Sequence, residues 1–195
     1  MQIKLLKVLL LILIIAAIVV ATLIGTKFNN ESVNERELKE IIASIQYQED
    51  NSTEIVPTID VEIDGTRVVG IIRIPKINLE YPILERTDTE TLNRSLTKFW
   101  GNRINEIGNV AIAGHNNLSG RFFGRLNNLE IGDKIELVDA QNVELIYEVF
   151  DIFVTNPDDI SVVFPVEEGT REITLITCIN GNVNRLIVRA REINR

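Results

Sequence analysis

The chain has 195 residues, of which 45% are hydrophobic, and this content excludes a chain that is disordered along its whole length. Its 28 acidic and 20 basic residues give a formal net charge of −8, so we do not expect a nucleic-acid-binding protein, which would present a net basic domain. With one cysteine and one histidine, the chain can form neither an internal disulfide nor a zinc site of the usual Cys/His kind.

The first predicted element is a membrane anchor. Residues 8–26 contain no charged side chain, and a helix of that length spans about 28 Å, close to the hydrocarbon thickness of a bilayer. A cleaved signal peptide, the alternative, has an apolar core of only about 7–15 residues. Lys4 and Lys7 precede the run and an acidic segment follows it, which favours a cytoplasmic N-terminus. We therefore predict that residues 1–27 are a cytoplasmic stub and a single transmembrane helix, with the rest of the chain extracytoplasmic.

Residues 28–60 are predicted to form an extracytoplasmic stalk and linker. Four apolar residues recur there at helical spacing, which predicts a short amphipathic helix that packs against the following domain or against another chain. They are Leu38, Ile41, Ile42 and Ile45. From residue 46 to residue 58 the composition is polar and includes Pro57, as is typical of a linker.

Residues 61–195 are predicted to form one mainly β domain. Short segments rich in β-branched and apolar residues alternate with turn signals, and helical patterns are few, which indicates a closed or nearly closed β-barrel with short helices. The predicted strands are residues 68–74, 79–84, 109–113, 134–138, 143–154, 173–178 and 185–191. Pro82 favours an edge position for the second of these, and Asp88 lies in a sequence that can cap a short helix running to about residue 96.

The only histidine and the only cysteine both lie where an apolar strand ends. His115 follows the strand at 109–113, and Cys178 ends the strand at 173–178. A chain leaving such a strand reaches the surface, where functional sites are usually built. An Asn-Gly turn signal follows Cys178, and if that loop joins antiparallel neighbours, Cys178 and Arg185 face each other across its mouth.

These residue types suit nucleophilic catalysis. A thiol with an ordinary pKa of about 8.5 needs a neighbouring base or cation to react near neutral pH. His115 can supply the base and later protonate a leaving amine, while Arg185 can hydrogen-bond a developing oxyanion. Arg189 shares the strand face of Arg185 but lies about 13 Å further along, at about 3.3 Å per residue, and is the weaker candidate.

Each of these residues also has a structural interpretation. A cysteine that ends an apolar strand is often buried and inert, and it can also pair with another chain. A histidine after a glycine can simply complete a turn, and the arginines of the last strand can form a solvated face. The acidic residues Asp158, Asp159, Glu167 and Glu168 lack a recognisable calcium-ligand spacing. No metal and no cofactor are expected.

Three motifs carry the candidate residues. They are Ala-Gly-His-Asn at 113–116, Thr-Leu-Ile-Thr-Cys at 174–178 and Arg-Leu-Ile-Val at 185–188. In this order, over roughly residues 65–193, they resemble the sortases, which are membrane-anchored cysteine transpeptidases of Gram-positive bacteria. The resemblance implies a closed eight-stranded sortase-type β-barrel and a catalytic set of His115, Cys178 and Arg185. We assign Thr177 and Asn116, which adjoin this set, to substrate binding.

The resemblance also implies a reaction and its partners. Sortases recognise a C-terminal sorting signal of the Leu-Pro-x-Thr-Gly kind on secreted proteins, attack the Thr carbonyl with the thiolate, release the Gly end and hold a thioacyl intermediate. An amine then resolves the intermediate. The expected partners are secreted proteins with such a signal, an amine acceptor such as a peptidoglycan precursor or another protein, and the cell membrane through the N-terminal helix. Residues 155–171 should correspond to the specificity loop of the family.

Two other functions share these sequence features. A thiol hydrolase would use the same site to cleave without transferring the acyl group. An anchored β-barrel that binds a partner or serves as a scaffold would carry an inert Cys178. Reactivity of the thiol separates this last protein from the two enzymes, and acceleration by an added amine separates the two enzymes from each other.

Overall fold

A computed structural model of the chain describes residues 2–51, 59–165, 167–179, 181 and 183–193, and within the first range the side chains of 10–26 and 34–45. The chain divides into two compact units, Met1–Ile41 and Ile42–Arg195. Residues 52–58, the second half of the predicted linker at 46–58, lie outside the described residues.

The N-terminal part of the chain is one continuous helix, α1 (Gln2–Asn51). It contains both the predicted anchor at 8–26 and the predicted stalk helix. The large apolar side chains between Leu10 and Ile24 are exposed. Of the four residues predicted to share one helical face, Leu38, Ile42 and Ile45 are buried and Ile41 is partly buried. Within the part of the chain that the structure describes, no helix combines the length and the apolar character needed to cross a membrane.

In the described part of the second unit there are nine strands and one further α-helix. The strands are β1 (Glu62–Ile63), β2 (Thr66–Ile74), β3 (Leu79–Leu84), β4 (Leu96–Trp100), β5 (Gly108–Ala113), β6 (Lys134–Asp139), β7 (Glu144–Thr155), β8 (Arg171–Ile179) and β9 (Asn184–Glu192). The helix, α2 (Thr89–Arg94), lies between β3 and β4, and 3-10 turns occupy Pro75–Ile77, Leu126–Asn128 and Ile160–Val163. Asp88 caps α2 as predicted, since its side chain accepts from the backbone N–H of Thr91 at 2.9 Å.

Eight of these strands close into a barrel. The sheet runs β2-β3-β4-β5-β8-β9-β7-β6, and antiparallel pairing of β2 with β6 joins its two ends. β3 with β4 and β5 with β8 pair in parallel, and the other neighbours pair antiparallel. The mainly β fold class and the closed eight-stranded barrel with short helices are therefore confirmed. β1 adds a two-residue hairpin to β2 through Asp64 and Gly65, both at positive φ, a turn that suits the twist of a hairpin.

Burial follows the strand alternation expected of a small barrel. Fully buried side chains such as Ile72, Ile112, Leu175 and Val188 come from strands all round the barrel. β3 is not an edge over its whole length, because its last two residues pair with β4. Pro82 lies just before that pairing, and its carbonyl accepts from the Ser95 hydroxyl at 2.6 Å.

Candidate active site

A groove of about 590 Å³ lies at one end of the barrel. Its walls come from the ends of β4, β5 and β8, the start of β9, and the loop that joins β7 to β8. His115, Cys178 and Arg185 all line it. The structure thus brings the three candidate residues, which are up to 70 positions apart in the sequence, to one concave surface.

The strand registers explain why these residues meet. β5 and β8 run in parallel with Ala113 opposite Ile176, so that His115, just beyond the end of β5, and Cys178, near the end of β8, lie at the same end of the sheet. β8 and β9 pair antiparallel, and Cys178 and Arg185 are direct register partners. The opposition expected of the loop after Cys178 is therefore confirmed. Directly opposed residues on one sheet face have Cβ atoms about 4.5–5.5 Å apart. The side chain of Arg185 therefore starts beside the Cβ atom that carries the Cys178 thiol.

The segment that carries His115 is held firmly against β8. The backbone N–H of Gly114 donates to the Ile176 carbonyl at 3.1 Å, and the Thr177 hydroxyl donates to the Gly114 carbonyl at 2.7 Å. A Cβ at position 114 would overlap the side chains of Leu96 and Phe123, which is why a glycine precedes the histidine. These contacts fix where the chain turns from the strand into the site.

The two predicted substrate-binding residues are placed differently. Thr177 lines the groove, but it is only 2% exposed and its hydroxyl already donates to Gly114. Asn116 is exposed, is not among the residues that line the groove, and donates its side-chain amide to the Cys178 carbonyl at 2.8 Å. The Thr177 hydroxyl and the Asn116 amide therefore both donate to backbone carbonyls of the site itself.

Four large apolar side chains at the groove were not predicted from the sequence. Phe99 and Trp100, at the end of β4, and Ile160 and Phe164, in the β7–β8 loop, all line the groove and are more than half exposed. β4 was not among the strands predicted from the sequence. The adjacent aromatic pair ahead of Gly101 was the available signal, because two large aromatics beside a glycine are unusual on a purely solvated turn.

The β7–β8 loop is fastened to the outer face of the barrel. Val162 and Val163 are buried in a cluster with Ala111 and Ile187. The side-chain amide of Asn109 donates to the carbonyl of Val163 at 2.9 Å. Packing and hydrogen bonding thus set the wall of the groove opposite the strand ends.

Asp159 organises the first turn of this loop. Its carboxylate accepts from the backbone N–H and the hydroxyl of Ser161, at 3.0 and 2.6 Å, and from the Thr155 hydroxyl at 2.7 Å. These donors, the Ser161 hydroxyl foremost, hold the pKa of Asp159 below its ordinary value because they stabilise the charged form. The guanidinium of Arg189 lowers the same pKa further and donates to the Ser161 carbonyl at 3.1 Å.

The lowered pKa of Asp159 predicts an acid transition of the loop. A carboxyl whose pKa is lower in the folded than in the unfolded state contributes stability above its ordinary pKa, and that contribution is lost as the pH falls through the lowered pKa. Trp100, the only tryptophan, shares the groove with this loop and can report the change by its fluorescence. We expect an acid transition of Trp100 emission in the wild type that Asp159→Asn removes. Asp158→Asn is the matched control, and loss of the transition in both variants would contradict the assignment to Asp159.

Comparison with known proteins agrees with this site. The family model described as the sortase domain matches residues 72–193. The chain is 32% identical to sortase A of Bacillus anthracis over 182 residues, covering 85% of each protein. Its fold is similar to that of a sortase D5 transpeptidase from Clostridium perfringens, with a TM-score of 0.63 and 27% identity over 84% of this chain and 99% of that one. It is also similar to sortase C-1 from Actinomyces oris, with a TM-score of 0.60 and 27% identity over 82% of this chain and 99% of that one.

The matched region contains most of the barrel and all three candidate residues. The chain therefore belongs to the sortase family. Sortases are cysteine transpeptidases, and membership implies substrates with an LPxTG-type sorting signal and acceptors that carry an amine. A scaffold with an inert cysteine and a hydrolase that does not transfer are not favoured.

Proposed function

We propose that the groove cleaves an LPxTG-like sorting signal between Thr and Gly and that Cys178, His115 and Arg185 carry the reaction. The observation that carries this assignment is the register of β8 and β9, which sets Cys178 opposite Arg185 in a groove that His115 also lines. The site thus offers a nucleophile, a proton carrier and a fixed cation around one position. These are the groups that acyl transfer through a thioester requires.

In the first half-reaction the Cys178 thiol gives its proton to His115, and the sulfur attacks the carbonyl carbon of the substrate threonine. A C–S bond forms, and the carbonyl oxygen takes on negative charge, which the Arg185 guanidinium stabilises by hydrogen bonding. Collapse of this intermediate breaks the C–N bond to glycine, and His115 delivers a proton to the departing nitrogen. The substrate is left as a thioacyl group on Cys178.

The second half-reaction reverses these roles with a different amine. The acceptor nitrogen attacks the thioester carbon and gives its proton to His115, while Arg185 again holds the oxyanion. The C–S bond then breaks, a new amide forms, and the thiolate of Cys178 is regenerated. No cofactor is needed, since each bond broken is replaced by one formed and the proton returns through the histidine.

The β7–β8 loop supplies the surface that selects the substrate. Ile160 and Phe164 expose apolar area to the groove, and Phe99 and Trp100 face it from the end of β4. We assign the recognition of the Leu-Pro portion of the signal to these walls, because an apolar groove gains free energy by covering apolar side chains. Such contacts act on substrate affinity, whereas the three catalytic residues act on the bond-changing steps.

We also propose that residues 1–27 anchor the enzyme in the cell membrane, with the N-terminus cytoplasmic and the barrel outside. The support is the uncharged run at 8–26, preceded by Lys4 and Lys7, and the continuous helix α1 that contains it. Residues 28–60 then form the stalk between the anchor and the catalytic domain at 61–195. This places the groove on the side of the membrane where secreted proteins and cell-wall precursors are found.

One assay tests both proposals. Membranes from cells without their own sortase, producing the full chain, are washed at alkaline pH and incubated with quenched Leu-Pro-x-Thr-type peptides, with and without an added amine. We expect a Thr–amine adduct, identified by mass, in the washed membranes. Cleavage to the free acid with no adduct at any amine concentration would contradict transpeptidation. Activity released into the wash would contradict the anchor and leave the catalytic assignment intact.

A further inference from the structure

Beyond the last backbone hydrogen bond between β5 and β8, a side chain, that of Asn116, makes the next hydrogen bond to β8. Gly114 N–H donates to the Ile176 carbonyl at 3.1 Å, and in a parallel ladder the next bond of this kind would join the backbone N–H of residue 116 to the carbonyl of residue 178. β5 has ended by then, and the Cys178 carbonyl is bonded by the side-chain amide of Asn116 at 2.8 Å. Asn116 therefore extends the join between the two strands past the point where the backbone ladder stops.

The same short segment is tied on its other side. The backbone N–H of Phe123 donates to the His115 carbonyl at 3.1 Å, and Asn116 forms an antiparallel bridge with Phe122. His115 thus lies on a strap with one edge on residues 122–123. Its other edge reaches Cys178 through the Asn116 amide. This hydrogen bond links the residue next to the histidine directly to the backbone of the cysteine.

We propose that Asn116 is a positioning residue that fixes His115 relative to Cys178 for proton transfer. The proposal rests on the catalytic roles assigned above, and it replaces the substrate-binding role predicted for Asn116 from the sequence. The groove position of Cys178 and His115, and the absence of Asn116 from the described groove lining, favour an action through the other two residues. General acid–base catalysis needs donor and acceptor within about 2.6–3.2 Å, so a small displacement of the strap reduces the rate.

If Asn116 had only a structural role, its substitution would lower the melting temperature. Asn116 is exposed, and β5 and β8 are already joined by their own ladder, by Gly114 N–H to Ile176 and by the Thr177 hydroxyl to Gly114 at 2.7 Å. Losing the Asn116 amide should therefore leave the barrel and its melting temperature unchanged. The effect should fall on kcat and on the reactivity of the Cys178 thiol, because His115 is the group proposed to take its proton.

Two substitutions and a matched control test this role in the full chain. Asn116→Asp keeps the shape but removes the N–H donors, and Asn116→Ala removes the amide without adding charge. Asn117→Asp is the control, because it adds the same charge one residue away. The side-chain oxygen of Asn117 accepts from the backbone N–H and the hydroxyl of Ser119 at 2.9 and 2.8 Å, and a carboxylate can keep both hydrogen bonds. We expect both Asn116 variants to lower kcat about tenfold or more, with KM within about twofold and Asn117→Asp near wild type.

A second measurement does not depend on the substrate. Because Cys178 is the only cysteine, its rate of alkylation by iodoacetamide as a function of pH reports thiolate formation at this site alone. We expect the pH profile to shift in both Asn116 variants and to stay in place in Asn117→Asp. An unchanged alkylation profile in the Asn116 variants would overturn the positioning role even if the peptide assay gave no product. A rise in KM with unchanged kcat would return Asn116 to substrate binding, and a parallel loss of kcat and melting temperature would make it structural.

Discussion

Replacement of Cys178 with alanine is expected to abolish both cleavage and transfer, lowering kcat/KM by about 10⁴-fold or more. The sulfur is the atom proposed to form the covalent intermediate, and nothing else in the groove can replace it, since the chain has no second cysteine. The fold should survive. The Cys178 side chain is only partly buried, and its backbone contacts with Arg185 and Asn116 do not involve the sulfur.

The measurement is mass spectrometry of the enzyme after mixing with a sorting-signal peptide, alongside the rate of product formation. The wild type should gain the mass of the acyl portion and lose it when amine is added, whereas Cys178→Ala should show neither. Its melting temperature should stay within about 3 °C of the wild type, which separates loss of chemistry from loss of fold. Turnover near the wild-type rate in Cys178→Ala would remove the cysteine from the mechanism.

The catalytic end of the barrel is the part of the fold that local sequence patterns predict best. The apolar strands before His115 and Cys178 are short, strongly β-branched and bounded by turn signals, so β5 and β8 were predicted within one or two residues of their observed limits. The Asn-Gly signal after Cys178 predicts an antiparallel return, and the register confirms it. Local information is sufficient for the limits of these strands and for the β8–β9 hairpin, whereas the parallel pairing of β5 with β8 joins residues far apart in the sequence and is not a local feature.

The closure of the barrel and the groove wall depend on contacts that no local pattern encodes. β4 was not predicted, because Leu96 to Trp100 follows directly on a helix and shows no clear alternation. The β7–β8 loop was expected to be the specificity loop, but its attachment through Val162 and Asn109 depends on partners about 50 residues away. The sequence also gives no sign that the Thr177 hydroxyl is used inside the site.

Replacement of Arg185 is expected to have the second large effect on activity. Arg189 is the natural comparison, because it shares a strand face with Arg185 but has different surroundings. Arg185 lines the groove between Cys178 on β8 and Thr155 on β7. Loss of a donor to an oxyanion typically costs about 10²–10³-fold in kcat, so we expect a fall of that size in Arg185→Ala. Arg185→Lys should recover only part of it, since an ammonium group lacks the planar fork of donors.

Arg189→Ala is the matched control for the removal of one arginine from the same strand. Arg189 stands opposite Thr174 rather than Cys178, lies over the Phe153 ring at 5.7 Å and donates to the Ser161 carbonyl. These contacts hold the β7–β8 loop, so its loss should raise KM several-fold and leave kcat within about threefold of the wild type. Steady-state kinetics of the three variants decides the assignment. A larger fall in kcat for Arg189→Ala than for Arg185→Ala would make Arg189, four residues further along β9, the oxyanion donor. The pairing of Arg185 opposite Cys178 would then not identify the catalytic arginine.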